Sequence, residues 1–296
     1  MQSSISAKAI APAIIVRRGL SQHPLVRFFA NRNNAIAMLI LGPIFFMAVF
    51  SSVLPLADPL RATPVDSLQG PSLAHPFGTD KLGRDVFART VGGLRVSLVI
   101  GFSAATLSLT LGVLLGTLAG TLGKFTDTAI SSLTGVLLAF PGLLLAIGII
   151  SVFGSGSIQL IFALGLSSMP AAIRLQRSLA LGLRSRTFMD AARMANAPTW
   201  WLVLRHVVPN TVAPMVVVAT IYAANAILAE ASLSFLGLGI TPPQPSLGNL
   251  VSDGRNYLRE AWWISTLPGL AIVVVAISLH LFSDGIREQL DPALRK

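Results

Sequence analysis

Runs of apolar residues dominate the chain. Six of them reach or approach the ~20 mostly apolar residues that a helix needs to cross a bilayer. They are 35–56, 94–119, 128–153, 157–173, 208–228 and 262–282. The fourth is the shortest, and its helix is expected to run on past Arg174 and Arg177, whose long aliphatic stems carry the cation to the interface. Polar stretches of unequal length separate the runs. Those at 57–93, 174–205 and 237–261 are long enough to hold structure of their own. By contrast, only Gly154-Ser155-Gly156 separates the third and fourth runs, which predicts a tight antiparallel hairpin. The apolar patch 10–16 is short and is followed by Arg17 and Arg18, the reverse of the order in a signal peptide. The pattern therefore predicts an all-α polytopic membrane protein with six transmembrane helices. Residues 1–34 are a basic tail, 35–56 the first span and 57–93 an outer segment. Five further spans follow within 94–283, enclosing a loop 184–206 and an outer loop 237–261, before a tail at 284–296.

Composition supports the membrane reading. Hydrophobic residues make up 53% and charged residues 11% of 296, with a mean hydropathy of +0.72. Average soluble domains are ~25% charged, so this chain has too few charges to cover a soluble globule. High hydrophobicity also excludes disorder. The net charge of +10 would suggest nucleic acid in a polar protein. Here it sets orientation instead. With the N-terminus inside and six spans, fifteen of the 22 Lys and Arg fall on the inner side with five acids. Seven fall outside with six acids, and Glu230 lies in the fifth span. Nearly all the excess positive charge is thus on one side, as cytoplasmic N- and C-termini require, and no nucleic-acid partner is called for. The absence of Cys excludes disulfides, thiolate metal sites and a cysteine nucleophile.

Little in the sequence points to catalysis. The nearest approach to a P-loop is Gly123-Lys124, with Leu118 where a glycine and Phe125 where Ser or Thr is required. His23, His75, His206 and His280 have no spacing for a shared metal. Gly165-Leu166-Ser167-Ser168 with His280 on another span superficially resembles an intramembrane serine protease, but Ser168 replaces the second glycine of that motif. Gly112, Gly116 and Gly120 put three glycines on one face of the second span, for close helix packing within the chain or against a second membrane subunit. Glu230 is a functional candidate as an intramembrane carboxyl, equally a structural one, and an ion-coupled carrier using it is the alternative of a different class.

The loop before the fifth span is the most informative segment. Residues 189–195 are good helix formers, Asn196 suits a left-handed stop and Pro198 follows it. Thr199 is a plausible N-cap for a helix 200–206, and Pro209 marks a turn into the span. A short helix, a sharp turn and a second helix suit insertion of the first into a groove on another protein.

At this point the residues resemble a family. Asp190-Ala191-Ala192, then Asn196 and Pro209, are similar to the "EAA" loop of ABC importer permeases. His75-Pro76-Phe77-Gly78-Thr79-Asp80-Lys81-Leu82-Gly83-Arg84-Asp85, Gly93-Leu94-Arg95-Val96-Ser97 and the stretch from Leu228 to Gly248 resemble the dipeptide/oligopeptide/nickel permease family, in its C-type subunit. Arg205-His206-Val207-Val208-Pro209-Asn210 and Asp284-Gly285 to Asp291-Pro292 also fit. Asp190 stands where Glu is usual, Asn196 where Gly is, Val208 where Leu is, and His280 and Ser283 where Asn and Gly are common.

The resemblance implies a type I ABC importer permease fold in a bacterial or archaeal cytoplasmic membrane. It implies a second homologous permease, two ABC ATPase subunits or one fused ATPase chain, and an extracytoplasmic substrate-binding protein. ATP and Mg would be bound by those partners, with no cofactor in this chain, and the substrate would be a peptide or, alternatively, nickel chelate or another small solute. Phe188, Asp190, Ala191, Ala192, Arg193, Met194, Asn196 and Pro209 would form the ATPase-coupling loop. Gly78, Thr79, Asp80, Gly83, Arg84 and Asp85 would meet the binding protein or gate the outer mouth, together with 237–261. Glu230, Ser234 and Phe235 would be pore or structural residues.

Overall fold

The computed structural model describes residues 32–290, which are helical apart from turns and one isolated bridge between Thr79 and Asp85. The tail residues Lys8, Arg17, Arg18 and Arg27, and Asp291-Pro292, Arg295 and Lys296 at the other end, lie outside the described residues. Helix α1 spans Arg32–Val49. The segment to residue 85 is irregular, with one 3-10 turn at Pro64–Asp66. Helix α2 (Val86–Thr121) is followed by α3 (Lys124–Leu138), α4 (Gly142–Phe153) and α5 (Ser157–Arg184). The loop holds α6 (Thr187–Met194), and α7 (Thr199–Leu202) passes through a π turn (Val203–Val207) into α8 (Val208–Phe235). Short α9 (Leu247–Gly254) precedes α10 (Trp263–Leu290).

Several expected boundaries shift: the fifth and sixth spans run on to Phe235 and Leu290, the latter into the segment expected as a tail, and three others shift for a local reason. The second span starts eight residues early, because the Asp85 carboxylate accepts from the Ala88 N–H at 2.7 Å and caps the helix there. The third is not one helix. Pro141 disfavours the α conformation in the residue before it, so α3 ends at Leu138 and α4 leaves at 90° to it. The first stops at Val49 instead of 56, ahead of turns that end at Pro55. Among the described residues, four helices are therefore long and apolar enough to cross a membrane, or five spans if the bent pair is one, and the apolar part of α1, Asn34–Val49, is shorter. The remaining distinction concerns Pro209. It does not turn the chain, because Thr199–Phe235 is one continuous helical run of 37 residues. At 1.5 Å per residue that run is about 55 Å long, longer than the ~40–45 Å of a bilayer with its headgroups.

Helix α2 is the axis of the bundle. Its glycine face meets α5, with Gly112 against Ala172, Gly116 against the Ile173 carbonyl and Gly120 against Ala180. Lipid-embedded helices gain nothing from hydrophobic association alone, so contact distance decides how well they adhere. A Cβ at Gly116 would lie 2.6 Å from that carbonyl and 2.7 Å from Gln176 Cβ. Beside this contact, buried Gln176 donates to Thr117 Oγ1 at 2.8 Å and Thr211 Oγ1 at 3.0 Å, tying α5 to α2 and α8. Arg177 pairs with Asp127 and so holds the start of α3 on α5. Nearer the start of α2, Leu94 and Leu98 join Ala224 and Ile227 of α8, Val275 and Leu279 of α10, and Leu41 of α1 in one apolar cluster.

We expect Gly116→Val to destabilise the bundle by about 1–3 kcal/mol or more, because the colliding atoms are backbone. Gly148→Ala, which adds a Cβ into open space, is the control. Thermal unfolding of the purified variants in detergent checks both.

Candidate functional site

The bundle carries ordered polar structure at each end. At the end where α2 finishes, α6 lies against the start of the π turn. Met189 is buried with Ala180, Leu202 and Val207, and Leu183, Ala192 and Ala197 close the cluster. The His206 ring stands between Phe188 and Trp201, with centroids 5.6 and 5.2 Å away. The reversal after α6 is a Schellman motif. The Ala197 N–H reaches the Ala192 carbonyl at 3.1 Å and the Asn196 N–H reaches Arg193 at 2.9 Å, with Asn196 at φ 58°. Asn at this position tolerates the left-handed region that most side chains avoid.

Of the residues expected to couple, Phe188, Asp190, Ala191, Arg193, Met194, Asn196 and Pro209 are exposed. Ala192 is not on that surface, since it packs inward against α5 and α7. Asp190 and Arg193 pair with each other at 2.8 Å, and Arg193 also donates to the Arg184 carbonyl at 3.2 Å. Met189 and His206 were missed. Their signal was the inward register, Met189 lying three residues before Ala192 on the same helix face.

At the opposite end, residues 57–85 fold into a cap over the starts of α2 and α10. Buried Asp80 organises it. One carboxylate oxygen accepts from the Leu82 and Arg84 N–H groups at 2.8 and 3.0 Å, and the other accepts from Arg84 Nε at 2.7 Å and from Arg89. Arg89 extends the chain of charges to Asp253 of α9 at 3.6 Å. Asp85 caps α2 with one oxygen and contacts His75 Nδ1 at 2.8 Å with the other. Trp263 Nε1 donates to the Thr79 carbonyl at 3.1 Å. Gly78 has φ 69°, and a Cβ there would lie 2.6 Å from the Gln69 carbonyl and the Trp263 indole.

The expected outer-contact residues thus have a different placement. Gly78, Thr79, Asp80, Gly83 and Asp85 are buried and Arg84 is nearly so, and they build the cap from inside. The cap's exposed large hydrophobic side chains are Leu60, Val65, Leu73 and Leu82. Neither Arg89 nor Trp263 had a signal in the pattern, because each is one polar or aromatic residue at the start of an apolar run.

Glu230 lies between cap and bundle. It is fully buried and accepts from Ser97 of α2 at 2.6 Å, from Ser234 one turn on at 2.7 Å and from Ser246. Ser246 also caps α9, accepting from the Asn249 N–H at 3.2 Å. Ser234 accepts from the Ile240 N–H at 3.2 Å. The glycines allow this crowding, and a Cβ at Gly248 would lie 2.7 Å from Ser234 Cβ. Phe235, the third residue of that group, is on the exposed side of α8. One carboxylate therefore joins α2, α8 and the entry to α9, with hydroxyls on both oxygens. The serine–histidine pair considered above is occupied differently. Ser167 donates to the Leu164 carbonyl at 3.0 Å, and His280 Nδ1 contacts the Ala276 carbonyl at 2.8 Å.

Long apolar helices in glycine contact, with a folded cap at one end and an ordered helical loop at the other, make this a multi-pass membrane protein. Residues 112–296 match the family of binding-protein-dependent transport system inner membrane components, and the chain belongs to that family. Its members are transport permeases, not enzymes. The chain is 36% identical over 302 residues to the di/tripeptide transport system permease protein DppC of Pseudomonas aeruginosa, covering 100% of this chain and 99% of that protein. It is 37% identical over 265 residues to the dipeptide transport system permease protein DppC of Alkalihalophilus pseudofirmus, covering 90% and 87%. With the glutathione transport system permease protein GsiD of Shigella flexneri it shares 40% identity over 275 residues, covering 92% and 91%.

Removing the Glu230 acceptor should cost more than changing its charge. Glu230→Ala leaves three buried hydroxyls short of a partner, and each such group costs about 1–3 kcal/mol. Glu230→Gln keeps an acceptor and should retain most of the stability and transport. Comparing detergent melting temperatures and uptake for the two variants checks this, and lost transport in a well-folded Gln variant would assign the charge a direct role.

Proposed function

We propose that this chain is the permease subunit of an ATP-driven, binding-protein-dependent importer of peptides. In this reading it spans a bacterial or archaeal cytoplasmic membrane with its N- and C-termini and α6 inside. It forms the pore with a second homologous permease, and α6 docks on a cytoplasmic ABC ATPase. The observation that carries the reading is the loop. An eight-residue helix with exposed Phe188, Ala191 and Met194 is clamped at the end of a helical run too long for the bilayer. The excess of Lys and Arg at that end supports the orientation. Peptide as substrate is supported by the names of the di/tripeptide, dipeptide and glutathione permeases it is similar to.

The cap would meet the substrate-binding protein outside, through Val65, Leu73 and Leu82. Its motif residues set the shape of that surface from within. Glu230 holds the cap-side ends of α2 and α8 together, and in this role it carries no coupling ion.

Ala191→Trp tests the docking. Ala191 is exposed, so the indole does not disturb the chain itself. Overfilling a packed contact costs about 1–3 kcal/mol, and about 1.4 kcal/mol is tenfold in affinity. We therefore expect roughly tenfold or greater loss of ATPase subunits co-purifying with the variant, at unchanged membrane levels. Undiminished co-purification would remove α6 as the docking element. Competition of uptake by di- and tripeptides, set against nickel chelates, tests the substrate class.

A further inference from the structure

The loop-side half of α8 carries a surface that neither the docking loop nor the cap uses. Two apolar depressions adjoin along it. One, of about 350 Å³, lies between α1, α2, α8 and α10, with Met38, Gly42, Phe102, Thr220 and Leu279 in its lining. The other, of about 210 Å³, lies between α2 and α8, with Leu109, Val113, Val208, Val212, Val216 and Ala219 in its lining. Val216 of the second and Thr220 of the first are one turn apart on α8. From Val208 to Thr220 the helix rises about 18 Å, close to half of the ~30 Å hydrocarbon core of a bilayer.

Protein interiors hold few voids larger than a water molecule, whose share of the liquid is about 30 Å³. These depressions are several times larger, and water does not suit them, because a bound water needs polar partners. The polar side chains in the lining are Thr211 and Thr220, and both are engaged. Thr211 Oγ1 accepts from Gln176 at 3.0 Å and donates to the Val208 carbonyl at 3.1 Å, and Thr220 donates to the Val217 carbonyl at 2.8 Å. A second helix does not suit them either. Close helix contacts in membranes are made on small residues, whereas Val, Leu, Met and Phe dominate here. Glycine weakens a helix relative to alanine, and no close contact requires it at Gly42, where a Cβ would meet nothing within 4 Å. Its effect is to leave the depression open.

The rim at Val212 and Val216 is exposed and continuous with the bilayer-facing surface of the long helices. Charge at the lower end is one-sided. Arg205 stands one turn before Val208, is exposed, and makes no ion pair or hydrogen bond among the described residues. Helix α2 has no acidic residue, and the run Thr199–Phe235 has none before Glu230, near its far end. We propose that this channel seats one acyl chain of an anionic phospholipid, with the headgroup phosphate on Arg205. The chain completes the packing of α1, which otherwise meets the bundle through the Phe45–Phe102 ring contact at 5.6 Å and through Asn34 on Gly285. The orientation proposed above makes it an inner-leaflet lipid. The seat itself depends neither on that orientation nor on the substrate.

The chain has no Cys, so Val216→Cys takes a single bimane in the channel, and Val152→Cys takes one on an exposed face of α4. The assembled transporter in detergent is titrated with dibrominated phosphatidylglycerol and with dibrominated phosphatidylcholine of the same chains. We expect saturable quenching at 216, tighter for phosphatidylglycerol, and quenching at 152 that only rises in proportion to the bromolipid. One cation near a membrane surface contributes roughly fivefold. Arg205→Gln should therefore weaken phosphatidylglycerol by about that factor and leave phosphatidylcholine unchanged. Filling the channel with Gly42→Leu and Ala219→Leu together should remove saturation. If that double variant does not assemble, Gly42→Leu alone, whose side chain enters open space, gives the same reading. Proportional quenching at both labels overturns the seat, as does saturation that survives the filling substitutions. Equal constants for the two lipids overturn the role of Arg205. Absence of quenching at 216 also overturns the proposal, the second permease or residues 1–31 being then the occupant.

Discussion

Where Gly112, Gly116 and Gly120 of α2 meet Ala172, Ile173 and Ala180 of α5, two helix backbones touch with almost no side chain between them. In an apolar solvent this contact has no hydrophobic drive behind it. It persists through dispersion across a long flush surface, and each methyl added would hold the helices apart. The other helices take their positions from this pair. Gln176 and Arg177 stand beside the contact and reach Thr211 of α8 and Asp127 of α3. Polar side chains at this depth have only one another as partners, so their hydrogen bonds specify which helix goes where.

The two ends of the bundle solve one problem by different means. Irregular backbone outside a helix must find donors and acceptors. At the loop end the solution is local: a Schellman turn at Asn196 and one apolar cluster around Met189. At the cap end it is carboxylates. Asp80 satisfies two backbone N–H groups and two arginines, Asp85 caps α2, and Glu230 serves three hydroxyls. The first arrangement makes a compact unit packed on the end of α5. The second binds segments that are distant in sequence, and so makes the cap and the bundle one body.

The apolar runs were legible because bilayer length is a strong constraint on the chain. So were the helix–turn–helix of the loop and its left-handed stop at Asn196, which depend on residues within four positions of one another. The break at Pro141 was also written locally, but an uninterrupted apolar run on both sides concealed it. The burial of Thr79, Asp80 and Asp85 was not legible. A Gly- and Asp-rich stretch outside the spans has the composition of a surface loop, and only the return of Trp263, Arg89 and Asp253 to the same place turns it inward. For Glu230, the sequence left structure and function equally open because its serine partners come from α2 and from the start of α9 as well as its own helix. In general, features set by spacing within one element could be read. Those set by contact between elements could not.

The bond from Trp263 to Thr79 joins residues 184 positions apart. During synthesis the N-terminal part of a chain folds first, yet the cap lacks its indole wall until the last long helix has been made. Until then Gly78 and Thr79 have no lid, and the start of α2 is held from the 57–85 segment by Asp80 and Asp85. The membrane insertion machinery must therefore deliver α10 before the cap can close. A ribosome stalled ahead of Trp263 would leave an inserted but unfinished protein, with the 57–85 segment open to proteases on its side of the membrane. Completion of the cap is in this sense a record that the whole permease has been made.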